Sequence, residues 1–369
     1  MKKLSLIQSI FISTLIVGCG NSNQNNTNNE DITSVESKEE ISSSEKETIK
    51  IDYPLDYSIK TSNNKVKVLQ ITDPQVFMTN EDELYSRAYK YMDYVVEQTN
   101  PDLIIVTGDI IYGRYDNDGT IFTSIVNRME SYNTPWAPVF GNHDNESPVG
   151  TDYQVNKLLT AKNCLFKRRS ELSGNGNYSV GLFINDDLVR SLYMIDTKGC
   201  TQIDGDTKKS AAYGISQEQI DYITDCQAKC EQYQGEVVKG FVAMHVMPSL
   251  MTSAVYIKYG VKVNDLSKIK SFAIPENNDG DFGSFNENSV LVVDKNGDAF
   301  YSFLDCNIDG IFAGHEHQNN ASVIFDGIRM TYGLKSSTCD FYDASKLGGT
   351  LIEVSEDSFD VTHIYYSYN

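Results

Sequence analysis

The sequence predicts an α/β fold whose strands end in clusters of polar residues. Two observations carry this expectation. Between about Lys65 and Phe140, short apolar runs alternate with stretches in which apolar residues recur at helical spacing. Each apolar run then stops at a small group of Asp, Asn or His residues. Strands alternating with helices build crossover units, and such folds gather their chemistry at the carboxyl ends of the strands.

The chain opens with Lys2 and Lys3, an apolar stretch from Leu4 to Val17, and Gly18-Cys19. That is the layout of a secretory signal, and the stretch is too short for a membrane span, which takes about 20 apolar residues. Leu15 to Cys19 resembles the lipobox of bacterial lipoproteins. Residues 1–18 are therefore expected to be a lipoprotein signal peptide, with Cys19 as the lipidated residue that anchors an exported protein to the outer face of a bacterial cell membrane. The next segment is rich in Asn, Ser, Glu and Lys and nearly devoid of apolar residues. Such a composition cannot repay the entropy of ordering, so 19–60 reads as a disordered polar linker and 61–369 as the catalytic domain.

Ordered structure is expected from near Lys65, where Val66, Val68 and Ile71 form a strand that stops at Asp73-Pro74. Glu81 to Gln98 has helical spacing, and Asn100-Pro101 ends it before the buried strand Leu103 to Val106. A helix over Gly119 to Ser131 and a strand from Trp136 to Phe140 follow. Leu188 to Ile195 and Val237 to Met244 read as strands, with Ser216 capping the helix between them. Thr252 to Ser289 shows weak periodicity and reads as a variable insertion. Asp309 to Ala313 is a further strand, and four short strands between Ser322 and Tyr366 suggest a meander closing a second sheet.

The net charge of −20 excludes a general affinity for nucleic acid, which needs clustered Lys and Arg. A phosphate-bearing substrate must then find positive charge locally, as from metal ions. Besides Cys19 there are six cysteines, Cys164, Cys200, Cys226, Cys230, Cys306 and Cys339, enough for up to three disulfides in an exported protein. Cys226 and Cys230 lack the spacing of a zinc knuckle, so each reads as a buried thiol or as one end of a long-range bridge.

Four of the five histidines sit in polar clusters directly after apolar strands, and only His363 does not. The order Asp73, Gly108-Asp109, Gly141-Asn142-His143-Asp144, His245, Gly314-His315-Glu316-His317 supplies the carboxylate and imidazole donors that two neighbouring metal ions need. From Lys65 onward the chain resembles the calcineurin-like metallophosphoesterase superfamily, whose blocks read D-x-H or D-x-G, G-D-x-x, G-N-H-E/D, H and G-H-x-H. Pro135-Trp136, Asn145-Glu146-Ser147, Asn177-Tyr178 and Pro248 around these blocks are similar to the purple-acid-phosphatase-related group that includes plant enzymes and a yeast phosphatase.

The resemblance implies a four-layer αββα sandwich of two mixed sheets, with a binuclear site at the strand ends. It implies Asp109 as the bridging carboxylate, Asp73 and His317 on one metal, and Asn142, His245 and His315 on the other. The ions would be iron, manganese or zinc, divalent or of mixed valence. A hydroxide between them would attack phosphorus in line, with His143 as general acid and Asp144 orienting it. The first block departs from the pattern, because Gln75 stands where D-x-H enzymes have a His. Gln75 through its amide oxygen, Gln75 touching only a bound water, or Tyr112 as a tyrosinate are the ways to complete that site. Arg114 is a candidate contact for the substrate phosphate. The implied activity is hydrolysis of small phosphomonoesters, the alternatives being a phosphodiesterase or nucleotidase, or a non-catalytic surface-binding lipoprotein.

Overall fold

A computed structural model describes residues 53–200, 211–261, 271–275, 280–286 and 298–367. The signal segment, Cys19, most of the polar linker and the side chain of Cys200 lie outside them. Two mixed sheets form the frame. The five-stranded sheet runs Phe359–Tyr365, Gly348–Val354, Val66–Ile71, Leu103–Thr107, Trp136–Val139, its last three strands parallel. The seven-stranded sheet runs Tyr57–Thr61, Tyr178–Ile184, Asp187–Ile195, Gly240–Met244, Ile308–Ala313, Ile328–Tyr332, Ser322–Phe325, and its four strands from Asp187–Ile195 to Ile328–Tyr332 are mutually parallel.

The reason for two sheets lies in burial. Leu103–Thr107, Trp136–Val139, Tyr178–Ile184 and Gly240–Met244 are buried at every position, as strands covered on both faces must be. One apolar core joins both sheets, bringing Leu69, Ile105 and Trp136 together with Tyr178, Leu192 and Phe312. A second core lies under the helix Gln217–Gln234, where Ile223, Cys226 and Cys230 meet Val242, Phe303 and Met330. Gln70 crosses the interior: its Nε2 donates to Thr107 Oγ1 at 2.9 Å and to the Ala313 carbonyl at 3.0 Å, so one amide ties the two sheets beside the site.

Several expectations need correction. Tyr57–Thr61 is a strand paired to Tyr178–Ile184, so order begins inside the segment read as linker; Asp56, which accepts from Lys167, Arg169 and Ser179, pins that start. The four C-terminal strands do not close one sheet. Ser322–Phe325 and Ile328–Tyr332 complete the seven-stranded sheet, while Gly348–Val354 and Phe359–Tyr365 extend the five-stranded one. Within the weakly periodic stretch, the helix Leu250–Tyr259 begins two residues before Thr252. Cys164, Cys226, Cys230, Cys306 and Cys339 are free thiols, and burial pushes those of Cys226 and Cys230 up to about 11 and about 12. None of the helices among the described residues is long and apolar enough to cross a membrane.

Candidate metal centre

Five strand ends converge. Asp73 follows Val66–Ile71, Asp109 follows Leu103–Thr107, and Asn142 and His143 follow Trp136–Val139, all from the five-stranded sheet. His245 follows Gly240–Met244, and His315 and His317 follow Ile308–Ala313, from the seven-stranded one. Asp73, Gln75, Asp109 and His315 all hold left-handed backbone, with φ of 50°, 43°, 49° and 72°. Each such residue costs about 1–3 kcal/mol, and strain of this kind persists where surrounding structure imposes it for a purpose. The glycines of the blocks make room. A Cβ on Gly108 would sit 2.5 Å from His245 Nδ1, and one on Gly141 would overlap the Asp109 carboxylate.

Two donor groups share Asp109. Asp109, His245 and His315 form one, and Asp73, Asp109 and His317 the other, the ligand atoms of each lying within 4.8 Å of one another. Asn142 joins the first, its Oδ1 lying 3.1 Å from His245 Nε2. Main-chain carbonyls set the tautomers. His245 Nδ1 donates to Thr107 O at 2.8 Å and His317 Nδ1 to Phe341 O at 3.1 Å, so each presents Nε2 to the centre.

This donor set fits metal ions on its own chemistry. His245 Nε2 faces Asn142 Oδ1, His315 Nδ1 at 3.1 Å and Asp109 Oδ2 at 3.4 Å. The acceptors Asn142 Oδ1 and Asp109 Oδ2, turned on a bare ring nitrogen, repel it unless a proton or a cation stands among them. The protonation pattern shows the same need. Burial alone would lower His245, yet Asp109 and Asp73 hold it up to about 10. Burial and the neighbouring charge of His245 press His315 down to about 3. Against burial, the bond to His317 and the charge of His245 keep Asp73 down to about 2, and Asp109 is held lower still by His245 and His143.

His143 stands beside this centre, its backbone N–H on Asp109 Oδ1 at 2.8 Å. Its ring partner is Glu146, not Asp144. Glu146 Oε2 accepts from His143 Nδ1 at 3.0 Å and from Arg114 Nε at 3.0 Å, while Oε1 accepts from Arg114 Nη2 at 3.2 Å. Residues 144–146 form one 3₁₀ turn, which carries the carboxylate three residues on back to His143. Asp144 points under the loops and accepts from the backbone N–H groups of Ile110, Ile111 and Gly141. Burial and the charge of Asp109 raise it to about 7, against those three bonds. Burial would lower His143, but Asp109 and Glu146 raise it above the ordinary imidazole value. The bidentate partner of Arg114 in the structure is thus Glu146.

Gln75 is committed elsewhere. Its Nε2 donates to Asp109 Oδ2 at 3.2 Å, and its Oε1 accepts from Lys335 Nζ at 2.7 Å. The Tyr112 ring packs on His143 at 4.2 Å between centroids, with the Arg114 guanidinium over it at 4.7 Å. Burial raises its phenol, and the charges acting on it most are those of Arg114, Asp340 and Glu146. Half-exposed Tyr115 and Phe341 add to these walls, Phe341 stacking on His317 at 4.3 Å. His363 lies apart, donating from Nε2 to Asn320 O at 2.9 Å and accepting from Thr350 Oγ1. Sequence reasoning missed the roles of Glu146 and Lys335. The first was signalled by its place three residues after His143, whereas nothing local marks the second. A cavity of about 480 Å³ at the opposite ends of the strands, lined by Arg190 and Lys239 among others, shares no residue with the centre.

Residues 66–224 match the family described as calcineurin-like phosphoesterase. That segment is similar to a calcineurin-like phosphoesterase domain. The chain is 23% identical over 266 residues to probable inactive purple acid phosphatase 28 of Arabidopsis thaliana, covering 66% of this chain and 60% of that protein. It is 24% identical over 242 residues to phosphatase DCR2 of Saccharomyces cerevisiae, covering 62% and 38%. A shorter match, 34% over 89 residues, links 21% of it to 34% of a probable cyclic nucleotide phosphodiesterase of Xenorhabdus bovienii. The chain spans 29% to 60% of the length of the first curated relatives it matches. A dimetal phosphatase from Danio rerio shares the fold, with a TM-score of 0.51 at 11% identity over 81% of this chain and 96% of that one.

Proposed function

We propose that this phosphoesterase domain hydrolyses phosphomonoesters at a binuclear metal centre. The observation that carries the reading is the pair of donor groups sharing Asp109, with His143 and its buried partner Glu146 beside them. Asp73, Asp109 and His317 would hold one ion, and Asp109, Asn142, His245 and His315 the other. Such ions, when bound, supply a hydroxide nucleophile near neutral pH and the charge that neutralises phosphoryl oxygens. The donor set of oxygen and imidazole suits zinc, manganese or iron. Glu146 accepts the Nδ1 proton of His143 and so keeps the other ring proton on Nε2, where it can pass to the leaving oxygen.

The intact donor groups and the Glu146-bound His143 support catalysis rather than a binding role alone. The relatives named as phosphatases support a monoester substrate, and the shorter likeness to a named phosphodiesterase supports the diester alternative. The test is turnover of an aryl phosphate monoester and its matching diester with manganese, iron or zinc. Faster monoester hydrolysis is expected, with a loss of roughly 10²–10⁴-fold in His143→Ala. Absence of hydrolysis of either ester with all three metals sinks the enzyme reading. Export and anchoring through Cys19 belong to the same proposal. They predict that Cys19→Ala moves the protein from the membrane fraction into the soluble one.

A further inference from the structure

We infer that Gln75 and Lys335 make the Asp73–Asp109–His317 position the weaker and more exchangeable of the two metal positions, with Lys335 as the residue that sets the difference. The inference rests on the binuclear reading above and concerns a departure of this chain.

Gln75 sits where an imidazole would complete the first position. Its amide orientation is fixed twice over. A lysine ammonium only donates, so the atom 2.7 Å from Lys335 Nζ is the amide oxygen. The Asp109 carboxylate only accepts, so the atom 3.2 Å from Asp109 Oδ2 is the amide nitrogen. The oxygen that would coordinate an ion is thus occupied, and the group turned toward the centre carries hydrogens and no lone pair. The same Asp109 Oδ2 faces His245 Nε2 at 3.4 Å.

Lys335 is itself held. Its Nζ also donates to the Asp73 carbonyl at 2.8 Å, and its side chain is buried, with 1% of the residue exposed. Backbone pairing locks its position: Lys335 bridges both Thr72 and Leu347. Burial lowers its ammonium, Asp73 and more weakly Asp109 favour its charge, and that charge in turn disfavours a proton on His317. The first position therefore has three protein donors, one of them shared, and a cation at its back. The other has Asp109, Asn142, His245 and His315. Fewer donors and an adjacent positive charge weaken binding and disfavour a trivalent ion most. Changes in the groups that support metal ligands shift affinity by about 10- to 100-fold.

The experiment loads the full chain with manganese or zinc, titrates a chelator, and counts metal per chain by mass spectrometry. One equivalent should leave at a chelator concentration at least about tenfold lower than the other. His317→Ala should lack that labile equivalent and keep the tight one. Lys335→Met, which keeps the length but removes the charge, should narrow the gap, and Gln75→His should do the same if Lys335→Met does not fold. Two equivalents leaving together in the unaltered chain, or a gap that neither substitution moves, overturns the inference while leaving the binuclear reading intact. A chain that binds none of the metals overturns both.

Discussion

Glu146→Gln tests the site most sharply, because the replacement keeps shape and changes one atom from acceptor to donor. Glu146 Oε2 serves both His143 Nδ1 and Arg114 Nε, and Oε1 serves Arg114 Nη2. A glutamine cannot do this. With its oxygen toward His143 and Arg114 Nε, its NH₂ faces Arg114 Nη2, donor against donor. In the other orientation its NH₂ faces His143 Nδ1 and Arg114 Nε, which leaves Nδ1 without its proton and bars the imidazolium, the form acidic enough to give up its Nε2 proton. Losing the oriented acid forfeits part of the 10²–10⁴-fold that general acids contribute, so about 100-fold, or ~2.7 kcal/mol of transition-state stabilisation, is expected. The assay is kcat/KM across phosphate monoesters whose leaving groups run from alkoxide to nitrophenolate. The loss should be largest for alkyl leaving groups, which need a proton, and small for nitrophenol, which does not. A loss equal across the series would refute the assignment of Glu146 as the orienting partner of the acid, as would a graded loss in Asp144→Asn with none in Glu146→Gln.

Asp144→Asn, by contrast, should lower stability. It leaves one of three buried backbone N–H groups without its acceptor, at a cost of about 1–3 kcal/mol read by denaturant titration, and its rate loss should not depend on the leaving group. Removing metal should lower the melting temperature. Two ions at 100 times their Kd stabilise by about 5 kcal/mol, which chelator and calorimetry should read as a drop of roughly 10 °C. Asp56→Asn should cost about 2 kcal/mol near neutral pH, less than the 3–5 of a wholly buried pair because Lys167 is half exposed. Burial alone would raise Asp56, but Lys167 and Arg169 hold it below the ordinary carboxylate value. Its contribution is therefore present above the unfolded value of about 4 and lost as pH falls through the folded one. The cost should vanish in urea titrations carried out at low pH.

The candidate donors were legible because metal chemistry restricts residue type and the strands place those residues at one end. Asp73, Asp109, Asn142, His245, His315 and His317 each follow a strand whose apolar run is visible in the sequence. The partner of His143 was not legible from adjacency: Asp144 is next in the chain, but the turn aims it at the backbone and brings Glu146 round instead. Lys335 left no trace, since a lysine after a strand means nothing until the sheet places it behind Asp73. The helix Leu250–Tyr259 hid for another reason. It is apolar on more than one face, so it shows no amphipathic period. The four C-terminal strands look alike in sequence, and only pairing decides which sheet takes each.

The division of the donors between the two sheets sets an order of events in the life of the chain. All the oxygen donors, Asp73, Asp109 and Asn142, precede residue 143, and the first nitrogen donor, His245, lies 103 residues beyond Asn142. A nascent chain therefore carries only weak, oxygen-rich half-sites until His315 and His317 have been made. At the proposed centre, metal capture would then be the closing act of assembly, a clasp fastened across the seam of the two sheets once both exist. A chain cut short before His315 would have neither half of the clasp complete.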